Sequence, residues 1–198
     1  MLQFITHQAD TEKMIDQAVK AIDGGALWIE LRADGVTPAD RTEAIRLAAE
    51  RLIPLCRGKN IFLILNNQPD LVEELEVQGL HLEPDGMAPR DARLKLGGGP
   101  VIGVTVTSPR EAVELMRRDI DYVRVNVTKP EEITPYAEAI KNAGGKLPIV
   151  AANDAITPDN APDYLAAGAA GIALSAPIAT APDPLQATIT YQSALQPH

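Results

Sequence analysis

The chain has 198 residues, a mass of 21.2 kDa and a formal net charge of −9, a size that suits one domain. So acidic a chain does not bind nucleic acid or anionic membranes unaided, and we expect neither as a partner. Its single cysteine, Cys56, excludes an intrachain disulfide and a thiolate zinc cluster. The opening MLQFITHQAD is not a signal peptide, and no apolar run approaches a membrane span, so we predict a cytoplasmic protein.

Short apolar runs recur along the chain, each followed by a polar turn and a helical pattern or its remnant. The eight runs are Leu2–Ile5, Leu27–Leu31, Ile61–Leu65, Leu80–Leu82, Val101–Val106, Tyr122–Val127, Pro148–Ala152 and Gly171–Leu174. Their aliphatic composition is typical of parallel strands covered by helices. Eight such units in one domain, residues 1–198, predict an α/β fold, a (β/α)8 TIM barrel. An open doubly wound sheet is the alternative.

Several helix starts are marked in the sequence. Ser108 is a predicted N-cap, with Pro109 at the first helical position and Glu111 completing a capping box. The segments TPAD at Thr37 and TPDN at Thr157 repeat the arrangement of a cap followed by proline, so each predicts a helix start. The fourth unit, APRDARLKLGGG, leaves room for only a short helix.

In a barrel of this kind the functional residues lie at the carboxyl ends of the strands. These ends carry many hydrogen-bonding groups: Thr6, His7, Glu30, Arg32, Asn66, Asn67, Glu83, Asp85, Thr105, Thr107, Asn126, Thr128, Lys129, Asn153, Asp154 and Ser175. Few of them are cationic, which makes Arg32 and Lys129 the candidates for binding an anion.

The segment WIELRAD, residues 28–34, places two acids around one arginine. Strand alternation puts Glu30, Arg32 and Asp34 on one side of the chain. The group is either a recognition site or an ion-pair network that neutralises itself. His81, between two leucines, is more typical of a hydrogen-bonded core or rim histidine than of a general base, and His7 stays open between these roles.

The order of motifs resembles the thiamine phosphate synthase family and its thiazole tautomerase branch. The matching segments are FIT, GGALWIELR, LILNNQPDLVEELEVQGLHL, VIGVTVTSPREAVELMRRDIDYV, LPIVAAND and AAGAAGIALSAPIATAPDP. The resemblance implies a TIM barrel whose synthase members join a pyrimidine pyrophosphate to a thiazole phosphate, with release of pyrophosphate and with Mg2+ bound. The implied ligand is therefore a small phosphorylated heterocycle, and a homo-oligomer is possible.

From the resemblance we expect a set of substrate-binding residues and one metal ligand, the latter one residue out of register with the family pattern. The binding residues are Glu30, Arg32, Asn66, Asn67, Thr105, Thr128, Lys129 and Ser175, and the metal ligand is Asp85. Magnesium is expected only if the protein is an active synthase, and otherwise no cofactor is expected.

The chain departs from the family pattern at several of these positions. The pattern Gln-x-Arg-x-Lys near the second strand becomes Glu30, Arg32 and Asp34, so an acid replaces a lysine. Asn67 replaces a magnesium aspartate, and an amide is a poorer magnesium ligand than a carboxylate. The second aspartate column falls on Gly86, with Asp85 one residue away. Asp154 stands where the family has a glycine pair for phosphate.

These departures leave three functions open. The chain is a working synthase, or a catalytically silent paralogue that binds a thiamine precursor or a partner protein, or a tautomerase-like enzyme, although that branch uses a histidine after the sixth strand. WIELRAD also resembles the Glu-x-Arg-x-Asp signature of type I dehydroquinases. Those enzymes need a strand-six lysine, and Arg124 stands at the corresponding position.

Overall fold

The computed structural model describes residues 1–196, and these form eight strands that alternate with helices. The strands are β1 Leu2–Ile5, β2 Trp28–Leu31, β3 Phe62–Asn66, β4 Gly79–Leu82, β5 Val101–Val106, β6 Tyr122–Asn126, β7 Ile149–Ala152 and β8 Gly171–Leu174. The helices are α1 Thr11–Asp23, α2 Pro38–Lys59, α3 Pro69–Leu75, α4 Pro89–Leu96, α5 Pro109–Leu115, α6 Thr134–Asn142, α7 Ala161–Ala166, α8 Ala176–Ala179 and α9 Pro184–Ala194. A short 3-10 helix, Pro130–Glu132, precedes α6.

The strands close into a parallel barrel. Each strand pairs with the next in the chain, and β1 also pairs with β8, with Gln3 opposite Ala173 and opposite Trp28 on its other side. This closure confirms the predicted (β/α)8 barrel and excludes the open doubly wound sheet, in which the first and last strands do not meet. All eight carboxyl ends therefore open onto one mouth.

The predicted caps of α2 and α5 are confirmed. Thr37 Oγ1 accepts a hydrogen bond from the Asp40 amide at 3.2 Å, and Ser108 Oγ accepts one from the Glu111 amide at 3.2 Å. The reciprocal bond of the capping box differs, because Glu111 Oε2 accepts from the amide of Thr107, one residue before the cap.

The predicted helix start at Thr157 is wrong, because α7 begins at Ala161. Thr157 Oγ1 does accept a hydrogen bond from the Asn160 amide, at 3.4 Å, but residues 157–160 form a turn that the Asn160 side chain stabilises. Its Oδ1 accepts a hydrogen bond from the Thr157 amide at 2.8 Å, and its Nδ2 donates to the Ala155 carbonyl at 3.2 Å. A side chain that satisfies the backbone of a turn competes with the first turn of a helix.

Aliphatic side chains of the strands and helices form the shell between barrel and helices, including the fully buried Ile29, Leu63, Val123 and Ile172. The inside of the barrel is more polar, since Gln3, Glu30, His81 and Arg124 are buried there. Gly103 on β5 makes room for the Tyr122 ring, because a Cβ at this position would lie 1.9 Å from Tyr122 Cζ. None of the helices within residues 1–196 is long and apolar enough to cross a membrane.

Candidate active site at the barrel mouth

The floor of the mouth is a buried ion pair between Arg124 of β6 and Glu30 of β2. Arg124 Nη2 donates to Glu30 Oε2, and Nη1 lies 3.3 Å from Oε1 of the same carboxylate. Arg124 Nη1 also lies 3.4 Å from Glu83 Oε1, at the end of β4. The Glu30 side chain is completely buried, and the Arg124 side chain is 4 % exposed. One guanidinium therefore joins three strands across the barrel.

Two amides complete the shell around Glu30. Gln3 Nε2 donates to Oε2 at 2.8 Å, and Asn66 Nδ2 donates to Oε1 at 2.8 Å. Burial disfavours the charged guanidinium of Arg124, but Glu30, Tyr122 and Glu83 together outweigh it and raise the pKa of Arg124 above its ordinary value. A buried carboxylate with this many donors is neutralised in place and has no capacity left for a ligand.

His81 lies beside this pair as a neutral core histidine, as the sequence predicted. Its Nδ1 lies 2.9 Å from Tyr122 Oη, and its Nε2 lies 2.8 Å from Thr105 Oγ1. Burial, reinforced by the nearby Arg124, lowers the pKa of His81 well below the ordinary value, while Glu83 opposes that shift. Burial also raises the pKa of Tyr122. Both groups stay uncharged at neutral pH.

Above the floor lies a hollow of about 400 Å³, which we call the central cavity. Its walls combine hydrogen-bonding groups from β5 to β8 with the two arginines of the mouth. The lining residues are Ile5, Arg32, Glu83, Thr105, Arg124, Asn126, Ala152, Asn153, Asp154, Ala173 and Ser175. A cavity with a few apolar side chains and convergent polar groups suits a small polar ligand.

A second hollow of about 350 Å³ lies over β2 to β4, and we call it the side recess. It is lined by Arg32, Asp34, Arg41, Asn66, Asn67, Glu83 and Asp85. Arg32 and Glu83 line both hollows, so these two side chains form the boundary between them. The two hollows together can hold two ligand parts that meet at this boundary.

The three charged residues of WIELRAD that were expected to cluster lie in two places, the floor of the mouth and its rim. Glu30 pairs with Arg124 inside the barrel, whereas Arg32 Nε donates to Asp34 Oδ2 at 3.0 Å at the mouth. The expected single cluster of three residues is therefore wrong, because the carboxylate of Glu30 finds a closer cation on β6. Arg32 gives only its Nε to Asp34, and within residues 1–196 its two terminal nitrogens donate to no protein acceptor.

Asn66 and Asn67, which were predicted to bind substrate, have their amides engaged by the protein. Besides its bond to Glu30, Asn66 Nδ2 lies 3.2 Å from Glu83 Oε1. Asn67 has a left-handed backbone, with φ 52°; its Oδ1 accepts from the Glu83 amide at 2.9 Å, and its Nδ2 donates to Asp85 Oδ1 at 3.0 Å. Asn67 thus orients Asp85 instead of presenting its own oxygen.

The donor set of the side recess suits a magnesium ion. Asp85 uses only Oδ1 and Glu83 uses only Oε1 in contacts with other described residues, which leaves one carboxylate oxygen on each. Magnesium is commonly held by one or two carboxylates together with waters and substrate phosphates. Glu83 and Asp85 would hold the ion here.

The neighbouring group Glu30, His81 and Glu83 also brings three potential metal ligands within 4.8 Å of one another. It does not suit a metal ion, because both oxygens of the Glu30 carboxylate already accept hydrogen bonds from Arg124. Both nitrogens of His81 are engaged as well, with Tyr122 and Thr105.

The remaining predicted site residues differ in their placement. Ser175 and Thr105 line the central cavity, and Ser175 Oγ lies 2.9 Å from His7 Nδ1. Thr128 and Lys129 are exposed and line neither hollow, and Glu132 Oε2 accepts hydrogen bonds from both of their amides. Glu30 lines neither hollow because it is part of the floor. The role of these three residues in substrate binding stays a prediction.

The positions of Arg124 at the floor and of Glu83 at the boundary were not predicted from the sequence. Arg124 was considered only as a substitute for a dehydroquinase lysine, and Glu83 only as one polar residue among many. The available signal was an arginine inside the apolar run YVRVN, since a charged side chain within a buried strand needs a partner.

The chain is similar in sequence and fold to proteins of one family. A family model described as thiamine monophosphate synthase matches residues 2–178. The chain is 36% identical over 200 residues to thiamine-phosphate synthase of Bacteroides thetaiotaomicron, covering 94% of this chain and 93% of that protein. The synthase of Bacteroides fragilis is 34% identical, with 94% and 96% covered. The solved thiamine phosphate pyrophosphorylase of Pyrococcus furiosus superimposes with a TM-score of 0.76 at 23% identity, over 98% of this chain and 94% of that one, which supports the fold.

Proposed function

Because the chain belongs to the thiamine monophosphate synthase family, we propose that it joins a hydroxymethylpyrimidine pyrophosphate to a thiazole phosphate in thiamine biosynthesis and releases pyrophosphate. The relatives at 34–36% identity with nearly complete coverage support this activity. The observation that carries it in this chain is the pair of adjoining hollows, which share Arg32 and Glu83.

The two hollows suit the two parts of this reaction. The central cavity, with its hydroxyl and amide groups, takes the heterocycles, and the side recess takes the pyrophosphate group. The carbon atom whose bond to pyrophosphate is replaced by a bond to the thiazole then lies at the boundary, beside Arg32. Holding both reactants in one mouth converts a bimolecular step into an effectively unimolecular one.

In this proposal Arg32 stabilises the leaving pyrophosphate. Charge develops on its oxygens as the bond to carbon breaks, and a fixed cation next to that position lowers the barrier. The terminal nitrogens of Arg32 are the donors available, since its Nε is held by Asp34. A magnesium ion, held by Glu83 and Asp85, would supply further positive charge to the same oxygens.

The test is an assay of the purified chain with the pyrimidine pyrophosphate, the thiazole phosphate and magnesium, measuring both thiamine phosphate and released pyrophosphate. We expect equal amounts of the two products and no turnover when a chelator removes magnesium. Asp85→Asn should abolish most of the turnover. Asp91→Asn is the matched control, because Asp91 is an exposed carboxylate in the first turn of α4 and lines neither hollow.

The silent-paralogue alternative has its own support, because Arg32 is partly engaged by Asp34 and Asn67 is fully engaged by protein groups. If no product forms and calorimetry detects binding of neither substrate, the synthase proposal fails. Substrate binding without turnover would instead favour the silent paralogue.

A further inference from the structure

Arg41 is the second guanidinium of the side recess, one turn into α2 and beside Arg32. Its Nε donates to the carbonyl oxygen of Ala33 at 3.1 Å, which turns the half-buried side chain back toward the end of β2. Among the described residues, its two terminal nitrogens have no acceptor and no carboxylate within ion-pair distance. By contrast, Arg46 and Arg51 on the same helix are paired with Glu74 and Glu12.

The charge of the recess makes an unpaired arginine there informative. Two guanidinium groups, on Arg32 and Arg41, face three carboxylates, on Asp34, Glu83 and Asp85, so one negative charge is in excess. Such a recess repels a pyrophosphate group unless cations are directed at it. Since Asp34 already holds Arg32 Nε, Arg41 is the least neutralised cation of the recess.

We propose that Arg41 binds the pyrophosphate group of the substrate and of the product, which rests on the function proposed above. Position 34 carries an acid in this chain, and Arg41 supplies from α2 a second positive charge beside that of Arg32. The hydrogen bond to Ala33 fixes the guanidinium so that its two terminal nitrogens form a fork, a geometry that matches two phosphate oxygens.

The experiment compares wild type with Arg41→Gln, Arg41→Lys and Arg51→Gln. Binding of inorganic pyrophosphate with magnesium is measured by calorimetry, and the KM values for both substrates are measured in the synthase assay. Arg51→Gln is the matched control, because Arg51 lies on the same helix, is exposed and pairs with Glu12 away from the recess. Circular dichroism melting curves establish that each variant is folded.

We expect Arg41→Gln to weaken pyrophosphate binding and raise the KM for the pyrimidine pyrophosphate at least tenfold, with the KM for the thiazole phosphate unchanged. Arg41→Lys should lie between, because it keeps the charge but loses the fork and the bond to Ala33. Arg51→Gln should match wild type. A folded Arg41→Gln variant that binds pyrophosphate as tightly as wild type overturns the assignment.

The two proposals fail separately. If wild type makes thiamine phosphate and Arg41→Gln has unchanged constants, the synthase function stands and the role of Arg41 is refuted. If wild type makes no product, the synthase function is refuted, and the calorimetric comparison still decides whether Arg41 binds pyrophosphate.

Discussion

Arg124 of β6 and Glu30 of β2 lie 94 residues apart in the chain and form a bidentate ion pair across the inside of the barrel. Replacing Arg124 by Met leaves the Glu30 carboxylate buried without a cation. We expect this variant to lose about 3–5 kcal/mol of unfolding free energy, measured by urea denaturation. Adding Glu30→Gln should recover a large part of the loss, because it removes the unpaired charge.

The matched control for this pair is Arg110→Met, which breaks the exposed pair with Glu114. It should change the unfolding free energy by about 0.5 kcal/mol or less. An Arg124→Met variant as stable as this control would show that the buried pair does not stabilise the fold.

The buried His81 predicts a pH dependence of stability. Its pKa in the folded protein is lowered well below the value of 6.5 that applies when it is unfolded. Below pH 6.5 the unfolded chain binds a proton at His81 that the native protein does not, so the unfolding free energy falls as the pH is lowered. The contribution is at most about 1.4 kcal/mol per pH unit. His81→Gln should remove this part of the slope between pH 6.5 and 5, measured by urea denaturation.

His7→Gln is the companion variant for this measurement, because His7 is a half-buried histidine at the mouth and its removal leaves His81 in place. It should keep the slope that is due to His81. Identical slopes in wild type and His81→Gln would contradict the assignment.

Gly86 should not tolerate the aspartate that the family pattern places in its column. A Cβ at this position would lie 2.2 Å from Asn67 Oδ1, and Asn67 orients Asp85. Gly86→Ala and Gly86→Asp should therefore both displace the Asp85 carboxylate and lower kcat/KM by about 100-fold, as misplacement by about 1 Å can do.

Gly58→Ala is the control for the two Gly86 variants. No atom lies within 4 Å of a Cβ at position 58, which is inside α2. This variant should be neutral or stabilising, by up to about 1 kcal/mol. Full activity in Gly86→Asp would mean that the Asn67 side chain can move aside and that the metal ligand can stand at position 85 or at position 86.

Asp154 should weaken the binding of the thiazole phosphate. It is exposed, lines the central cavity and follows β7, where the family presents backbone amides to a phosphate. Asp154→Asn should lower the KM for the thiazole phosphate by roughly fivefold, equivalent to about 1 kcal/mol for an exposed charge. The gain should shrink at high salt.

Asp159→Asn serves as the control, since Asp159 is exposed in the same loop but lines neither hollow. A rise in the KM of Asp154→Asn would contradict this expectation, because it would mean that Asp154 accepts a hydrogen bond from the substrate.

The strands could be predicted because their apolar runs are short, aliphatic and separated by turn residues. The runs Val101–Val106 and Gly171–Leu174 coincide with β5 and β8. Helix starts could be predicted where a hydroxyl caps a free amide, as at Thr37. The start at Thr157 was wrong because residues 157–160 form a turn, stabilised by the Asn160 side chain, before the regular helix begins at Ala161.

The site could be predicted only in part, since its key contacts join residues far apart in the chain. Strand alternation placed Glu30 and Arg32 on one side of the strand, but it could not show that Glu30 would form an ion pair with Arg124. The engagement of Asn67 by Glu83 and Asp85 likewise depends on how two loops meet. Local sequence patterns carry no information about contacts between segments that are far apart in the chain.

The boundary formed by Arg32 and Glu83 suggests inhibitors that occupy both hollows at once. A compound that occupies both hollows has to pass between these side chains, one cationic and one anionic. A flat amino-substituted ring in the central cavity, tethered by a short neutral linker to a bisphosphonate in the side recess, would engage both hollows with one molecule. Linking the two parts raises the effective concentration of each at its own hollow. The linker has to be narrow and uncharged, because it passes between a guanidinium and a carboxylate.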